Sequence, residues 1–232
     1  MRAGEKPDEL LVFDHGFVRL DDAMADDLSV VNAARVSFAV RKDAMDERDT
    51  GLIRFLMRNS HGTPFEHNSF RFHIRAPVFV AREWFRHRIS SFNEESARYH
   101  KLQGDFYVPA REAVRTQVGK PGSYTFERAD EAVADQAITT LQRVYRQLYD
   151  EYKALIDSGV AKELARSVLP FGIYTQFYWT VNARSLMNFL SLRNSSDAQY
   201  EIRKYAEAVE QLFARRMPVT RECFLEFGRR VP

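Results

Sequence analysis

Alternating apolar and polar residues mark two segments of the chain as strands. Between His67 and Arg75, three apolar residues occupy alternate positions, and the run from Ile173 to Val181 places Ile, Thr, Phe, Trp and Val on one side. A period of two sends successive side chains to opposite faces of a strand, so each segment is expected to bury one face. Apolar pieces on either side of Asp14-His15-Gly16 predict a hairpin between Leu10 and Leu20.

Apolar residues spaced by three and four positions predict helices over much of the remaining chain. The longest predicted helix, from Arg128 to Asp157, carries an apolar stripe that needs a packing partner in its own chain or in another. That stripe consists of Ile138, Leu141, Tyr145, Leu148, Tyr152 and Leu155. The other predicted helices cover Ala23 to Phe38, Gly51 to Arg58, Pro77 to His87, residues 161–168, a segment behind a capping box of Ser196 and Gln199, and a segment after Pro218.

One long segment, from about His100 to Tyr124, has no regular pattern and contains three glycines and two prolines. A loop of this length inside a domain is usually functional or mobile. Strands and helices do not follow each other in the rhythm of a βαβ fold. The expected fold is therefore α+β: a single helix-rich domain over residues 1–232 with a small, mostly antiparallel sheet.

Composition narrows the class of protein. The chain has 232 residues, of which 45% are hydrophobic, a net charge of +2 and one cysteine. It has no run of about 18 apolar residues, and its first 30 residues have no apolar core like that of a secretory signal, so we expect a cytoplasmic protein without membrane contact. One cysteine and scattered histidines give no reason to expect a disulfide framework or a metal site. A nearly balanced charge argues against nucleic-acid binding.

Arginine greatly outnumbers lysine, with 27 of the 34 basic residues. One interpretation is the codon usage of a GC-rich genome. The other is that several arginines bind carboxylate or phosphate through two parallel hydrogen bonds, which lysine does not do. Only the positions of these arginines decide between the two interpretations.

The segment from Arg86 to Tyr99 concentrates candidate binding groups. It mixes Arg, His, Asn and Ser with Glu, whereas a solvated charged face is usually rich in Lys and Glu. Its arginines and hydroxyls suit a phosphate-bearing ligand, and Glu94 suits a ribose hydroxyl or an imide N–H. The segment therefore indicates a nucleotide site.

The same segment resembles the flavin-dependent thymidylate synthases, whose signature RHRxxSxNExSxRY it matches at every specified position. The specified residues are Arg86, His87, Arg88, Ser91, Asn93, Glu94, Ser96, Arg98 and Tyr99. Further similar blocks lie at residues 32–37, 61–67, 165–170 and 179–193. The resemblance thus runs from about residue 31 to residue 213 and implies the fold of that family.

The resemblance implies reductive methylation of dUMP to dTMP. In this family 5,10-methylenetetrahydrofolate gives the carbon, FAD carries the hydride and NADPH reduces the flavin. Cys223 agrees independently, because it lies in no context for the thiolate nucleophile that the other kind of thymidylate synthase uses. The resemblance also implies a homotetramer with active sites between subunits, and it leaves loop 100–124 to cover the folate or nicotinamide side.

By the same resemblance, FAD is bound by residues from separate parts of the chain. They are Ser37, His61, Thr63, Arg86, His87, Arg88, Glu94, Asn182, Arg184 and Asn188. Asn182 and Asn188 each carry a donor and an acceptor, which suits the imide edge of a flavin. Ser37 is nearly as well explained as a hydroxyl at a helix end. Asn182 and Asn188 each have the alternative of a helix-surface amide.

The resemblance assigns dUMP to an overlapping set. These residues are Glu83, Arg86, Glu94, Glu95, Ser96, Ala97, Arg98, Arg166 and Arg193. Arg98 and Arg166 are the expected phosphate ligands, since guanidinium is always charged and binds in bidentate fashion. Ala97 offers a backbone N–H, and Ser96 has no base beside it, so we expect it to bind and not to attack.

Arg193 is the expected catalytic residue. A fixed cation beside the uracil imide favours the N3 anion, which makes C5 more nucleophilic. Glu83 departs from the family, whose members commonly carry Gln three residues before RHR. A carboxylate there opposes binding of an anionic nucleotide unless Arg82, Arg86 or a protein partner neutralises it.

Two other functions are weighed against this one. A nucleic-acid-binding α+β module would use the same arginines on phosphates, but its basic residues would not be confined to one cluster containing Asn93, Glu94 and Glu95. A nucleotide-binding homologue without catalysis would bind dUMP and turn nothing over. The presence of all the signature residues and of Arg193 favours an active enzyme.

Overall fold

The structure contains both strands and helices, and most of the helical residues lie in the second half of the sequence. The computed structural model describes residues 8–232. The strands are β1 (Asp8–Val12), β2 (Gly16–Met24), β3 (Ser69–Pro77), β4 (Ser91–Glu94), β5 (Arg115–Lys120), β6 (Ser123–Arg128) and β7 (Tyr174–Asn182). The helices are α1 (Asp27–Arg35), α2 (Glu47–Arg58), α3 (Thr63–Glu66), α4 (Val78–Trp84), α5 (Glu131–Asp157), α6 (Lys162–Ala165), α7 (Ala183–Arg193), α8 (Tyr200–Arg216) and α9 (Pro218–Glu226). Short 3₁₀ turns cover Val36–Phe38, Arg111–Ala113 and Arg166–Val168.

The main sheet has five strands in the order β1-β2-β3-β7-β4, and β5 and β6 form a separate two-stranded sheet. The pairs β1–β2, β2–β3, β4–β7 and β5–β6 are antiparallel. This confirms the predicted α+β class, with many helices and a mostly antiparallel sheet. Among the helices of the described residues, none has the length and apolar character needed to cross a bilayer.

Two compact units divide the described chain. The first unit comprises the described residues up to Ala76 together with Val80–Glu94 and Gln176–Pro232. The second unit comprises Pro77–Phe79 and Glu95–Thr175. That residues 1–232 form a single domain stays a prediction, and residues 1–7, which bear on the expected absence of a secretory signal, lie outside the described part.

The core of the first unit forms on one face of the sheet. Phe70, Phe72 and Trp179 are fully buried, and Phe72 stacks on Trp179 with ring centroids 5.5 Å apart. Trp84 stacks on Phe189 of α7 at 4.7 Å. The alternation that predicted the two long strands thus reflects real burial of one face, as a period of two requires. The apolar stripe of α8, which consists of Ile202, Tyr205, Val209 and Leu212, is also buried.

The second unit packs the tyrosines of α5 against an extended segment. Tyr149 Oη donates to the carbonyl of Leu102 at 3.1 Å, and Leu102 N–H donates to Tyr152 Oη at 3.1 Å. Phe106 stacks on Tyr145 with centroids 4.9 Å apart. Part of the α5 stripe therefore packs within its own chain, which was one of the two options that the pattern left open.

Part of the segment predicted as irregular is ordered into strands. Residues 115–120 and 123–128 pair as β5 and β6 around Gly122, whose φ of 85° is a conformation that glycine adopts freely. Nearly all side chains of this hairpin are exposed, so the alternation of Tyr124 and Phe126 with polar residues does not mark a buried face. The prediction of a loop over 100–124 is therefore wrong for residues 115–120 and 123–124.

Several predicted helix boundaries are also wrong. Residues 23 and 24 belong to β2, and α1 begins only after Asp26, whose carboxylate accepts from Ser29 N–H at 2.6 Å. The helix predicted from Pro77 to His87 ends at Trp84. The capping box of Ser196 and Gln199 does not form, since α8 begins at Tyr200 without a side-chain cap.

Candidate active site

A cavity of about 750 Å³ in the first unit gathers seven of the predicted ligand residues. They are Arg86, His87, Arg88, Asn182, Arg184, Asn188 and Arg193. The first three follow the end of α4, and the others lie at the end of β7 and along α7. The order of strands makes this possible, because β4, which follows Arg88, pairs with β7.

Arg193, in the last turn of α7, is held by two residues of the segment 83–87. Its Nη1 donates to the Glu83 carboxylate at 2.7 Å, and its Nη2 donates to the main-chain oxygen of Glu83 at 3.3 Å. Its Nε donates to His87 Nε2 at 3.0 Å. The residue expected to activate uracil is therefore fixed in an ion pair with the residue that departs from the family pattern.

His87 is neutral in this arrangement. Burial and the adjacent Arg193 guanidinium lower the pKa of His87 from 6.5 to about 4, although Glu83 acts in the opposite direction. Nε2 accepts a hydrogen bond from Arg193, so the proton of the neutral ring lies on Nδ1. His87 therefore serves as a hydrogen-bond acceptor for Arg193 at neutral pH and adds no charge to the cavity.

Arg184 is also paired. It donates from Nη1 to Glu66 at 2.5 Å and from Nε to the carbonyl oxygen of Pro232 at 2.7 Å. A Cβ added at Gly62 would lie 2.4 Å from Arg184 Nε and 2.6 Å from that oxygen, so only glycine fits there. Gly62 thus lets the block of residues 61–67 approach the cavity wall.

Asn182 caps a helix in addition to its predicted role in binding FAD. Its Oδ1 accepts from Ser185 N–H at 2.8 Å and caps the N-terminus of α7. The amide NH₂ group has no partner among the residues the structure describes and is left for a ligand. Asn188, one of the lining residues, is exposed on α7.

In the second unit, Glu163 joins two of the predicted phosphate ligands. Its carboxylate accepts from Arg98 Nε at 3.2 Å, and its main-chain oxygen accepts from Arg166 Nε at 3.3 Å. Ser96 Oγ accepts from Arg98 N–H at 3.3 Å, and Ala97 is buried. Arg98 and Arg166 are exposed and Ser96 is half-buried, so the three form one basic cluster. Its role in binding phosphate stays a prediction.

The remaining predicted ligands lie outside these two groups. Ser37 is exposed in a 3₁₀ turn, and His61 is exposed beside the ring of Phe55. Thr63 is exposed at the start of α3, and Glu94 is exposed at the end of β4. Glu95 lies 3.2 Å from His100. The structure does not bring these five residues to the cavity wall, and their roles stay predictions.

Sequence reasoning missed two residues of these sites. Glu66 lines the cavity and lies inside the similar block 61–67, so its place near the site could have been predicted from that block. Glu163 precedes the matched block at 165–170, and no sequence signal points to it. Burial raises the pKa of Cys223 to about 11, so this thiol stays protonated at neutral pH.

The fold and the site together define the class of this protein. Arginines beside amide groups recognise phosphate and the hydrogen-bonding edges of a base, which is the chemistry of a nucleotide-binding α+β protein.

Comparison with known proteins makes the identification specific. The sequence model of a family described as "Thymidylate synthase complementing protein" matches residues 19–219. The flavin-dependent thymidylate synthase of Thermosipho africanus is 48% identical over 220 residues, which are 95% of this chain and 95% of that protein. That of Thermus thermophilus is 45% identical over 96% of this chain and 80% of its own length. This chain belongs to the family of flavin-dependent thymidylate synthases.

A solved structure supports the same fold. The crystal structure of the UMP/dUMP methylase PolB from Streptomyces cacaoi, bound with 5-Br UMP, superimposes with a TM-score of 0.88. The two chains are 44% identical, and the match covers 95% of this chain and 98% of PolB.

Proposed function

We propose that the cavity of the first unit carries the reaction of this family and that the basic cluster of the second unit binds a phosphate group. That reaction converts dUMP to dTMP with 5,10-methylenetetrahydrofolate as carbon donor, FAD as hydride carrier and NADPH as reductant. The observation that carries the proposal is the shared cavity wall. Segments far apart in the sequence, 86–88 and 182–193, meet there with the residue types that the family signature contains.

The cavity fits a flavin dinucleotide. Arg86 and Arg88 are exposed, and neither guanidinium has a partner among residues 8–232, so both are free to bind a pyrophosphate. The free NH₂ group of Asn182 and the amide of Asn188 suit the imide edge of the ring system. Trp179 Nε1 is a buried donor without a partner in the described residues, at a side chain that lines the cavity. FAD, when bound, supplies hydride transfer, and these residues hold and orient it.

The basic cluster of the second unit and Arg193 of the first unit are each proposed to bind a different chemical group. Arg98 and Arg166 are both exposed, and Glu163 accepts from Arg98 through its carboxylate and from Arg166 through its main-chain oxygen. Their guanidinium groups suit a phosphate. Arg193 faces the cavity with two N–H groups that no described residue accepts, and it hydrogen-bonds the uracil carbonyl or imide. Charge that develops on the pyrimidine during the reaction is stabilised by these fixed donors.

We also propose that the chain works as a homotetramer in the cytoplasm, where the nucleotide and folate substrates are made. Large apolar side chains at Leu11, Val36, Phe38 and Ile89 are more than two-thirds exposed, as expected of residues that another subunit covers. An active site shared between subunits would bring further residues to the ligands.

The decisive experiment is the release of tritium from 5-tritiated dUMP. The purified protein, supplied with methylenetetrahydrofolate, FAD and NADPH, is expected to release tritium and form dTMP, and to be yellow when it holds flavin. A parallel reaction with 5-tritiated UMP tests the ribonucleotide, because PolB is named for both substrates. Binding of dUMP without tritium release would favour the non-catalytic homologue. A colourless protein that binds polynucleotides instead of dUMP would favour the nucleic-acid-binding module.

Two substitutions at Asn182 separate its structural duty from its proposed contact with flavin. Asn182→Asp keeps the oxygen that caps α7 and adds a favourable charge at a helix N-terminus, but it removes the NH₂ donor. We expect this variant to unfold at or above the wild-type temperature while binding FAD weakly. Asn182→Ala removes both groups and is expected to lose about 1 kcal/mol of stability as well.

Thermal unfolding of the apo protein and titration with FAD, followed by flavin fluorescence, measure the two effects. Wild-type affinity for FAD in Asn182→Asp would contradict the proposed contact and leave Asn182 with its capping role alone.

A further inference from the structure

The contact between Glu83 and Arg193 gives Glu83 a role different from the one that the resemblance implies. We propose that Glu83 is a positioning residue that acts through Arg193. It fixes the guanidinium in the cavity wall and compensates its charge, instead of contacting the nucleotide itself. This inference rests on the proposed function, since it assigns how one residue of that site is prepared for the substrate.

Hydrogen-bond geometry is the first support. Of the five N–H groups on the guanidinium, two point to the carboxylate and the carbonyl of Glu83 and one points to His87. The two remaining N–H groups, one on each Nη, have no acceptor among residues 8–232. A long side chain held at three points loses little further rotamer freedom when it binds a ligand, which is the condition for preorganised donors.

Charge is the second support. Glu83 and Arg193 are joined at 2.7 Å, and their side chains are 35% and 19% exposed. His87 is neutral at pH 7, because the pKa of its ring is lowered to about 4. The three side chains together carry no net charge, so Arg193 meets the uracil as a set of hydrogen-bond donors and not as an isolated cation.

This arrangement also answers the objection to a carboxylate near an anionic nucleotide. The negative charge of Glu83 is compensated by the positive charge of Arg193 before the nucleotide binds. A glutamine at position 83 keeps an oxygen that accepts from Nη1 but removes the charge, so Arg193 would then carry a full positive charge into the site. Glu83→Gln and Glu83→Ala therefore separate the effect of positioning from the effect of charge.

A double-mutant cycle on the complete enzyme tests whether Glu83 acts through Arg193. We expect Glu83→Ala to lower kcat for tritium release about 10- to 100-fold, because a misplaced catalytic group costs rates of that order. In Arg193→Ala the same change at Glu83 is expected to have almost no further effect on kcat. Glu83→Gln is expected to recover most of the rate lost in Glu83→Ala.

Binding provides a readout that does not depend on turnover. In isothermal titration with dUMP, Glu83→Gln is expected to bind severalfold more tightly than the wild type, because one negative charge near the anion is gone. The matched control is Glu207→Gln. Glu207 is 38% exposed and pairs with Lys204 at 2.8 Å on α8, outside the cavity, so both measurements are expected to stay at wild-type values.

Independent, multiplying effects of Glu83→Ala and Arg193→Ala on kcat would overturn the proposal and favour a direct contact between Glu83 and the nucleotide. If Glu83→Ala does not fold, Glu83→Ser provides the second truncation for the same cycle. Failure of the proposed function has a different signature, because the wild-type enzyme itself would then release no tritium from dUMP.

Discussion

Replacing Arg193 with alanine is expected to lower the rate of dTMP synthesis by about 10²- to 10³-fold, the cost of removing preorganised donors from a site of developing charge. The two free N–H groups of Arg193 are the donors in question, and the clamp of Glu83 and His87 holds them in place. The loss is expected in kcat more than in the affinity for FAD, because the predicted flavin ligands Arg86, Arg88 and Asn182 remain. Single-turnover tritium release and flavin absorbance measure the two properties on one preparation.

Arg215→Ala is the control for this substitution. Arg215 lies in the last turn of α8 and makes a half-exposed ion pair with Asp8 at 2.9 Å, outside the cavity. It is expected to turn over dUMP like the wild type. A rate for Arg193→Ala within a few-fold of the control would remove Arg193 from the catalytic step.

Much of the main sheet was predictable because its pattern is set by burial. Phe70, Phe72 and Ile74 are all fully buried. A strand that buries one face requires an apolar residue at every second position, and this alternation is visible in the sequence. The short strand β4 was not predictable, since Ser91–Glu94 has only one apolar residue, Phe92. Its pairing with β7 depends on backbone hydrogen bonds, which leave no trace in side-chain type.

The candidate site shows the same division. The signature from Arg86 to Tyr99 identified the binding groups, because phosphate and base recognition need particular side chains. It did not predict that Arg193 pairs with Glu83, a residue 110 positions earlier, or that the carbonyl of Glu163 holds Arg166. Such contacts depend on which surfaces the fold brings together, and either partner alone is compatible with many others. The unusual Glu83 was visible in the sequence, whereas its partner required the structure.

A second cluster of charges, around the buried Asp49, is expected to control stability. Asp49 is fully buried and accepts hydrogen bonds from Arg35 Nη2 at 2.7 Å, from Lys42 Nζ and from Asp46 N–H at 2.9 Å. Asp49→Ala removes the common acceptor of Arg35 and Lys42, although Lys42 keeps a second carboxylate, that of Asp46, at 2.7 Å. We expect a loss of about 3 kcal/mol in the free energy of unfolding, the cost of breaking a buried ion pair. Urea denaturation at pH 7 measures this loss.

The dependence of this loss on pH provides an internal check. Burial by itself raises the pKa of Asp49, but hydrogen bonds from Lys42, Asp46 and Arg35 outweigh it and lower the pKa from 3.8 to about 2. A carboxyl whose pKa is lower in the folded than in the unfolded state stabilises the fold at pH values above its unfolded-state pKa. That contribution is lost as the pH falls toward its folded-state pKa. The difference between wild type and Asp49→Ala is therefore expected to be constant above about pH 5 and to shrink between about pH 4 and pH 2.

Glu226→Ala is the matched control for Asp49→Ala. Its partner is Arg54 at 2.9 Å, and both side chains are more than 40% exposed, so the expected loss is below about 1 kcal/mol. The Asp49 cluster also has a consequence for the site, because Arg35 and Lys42 flank the segment that carries Ser37. If Ser37 contacts flavin, Asp49→Ala weakens FAD binding, because it removes the Arg35 contact at one end of that segment and one of several contacts of Lys42 at the other. Glu226→Ala does not have this effect. Equal stability losses in the two variants would contradict the assignment of Asp49 as the anchor of this segment.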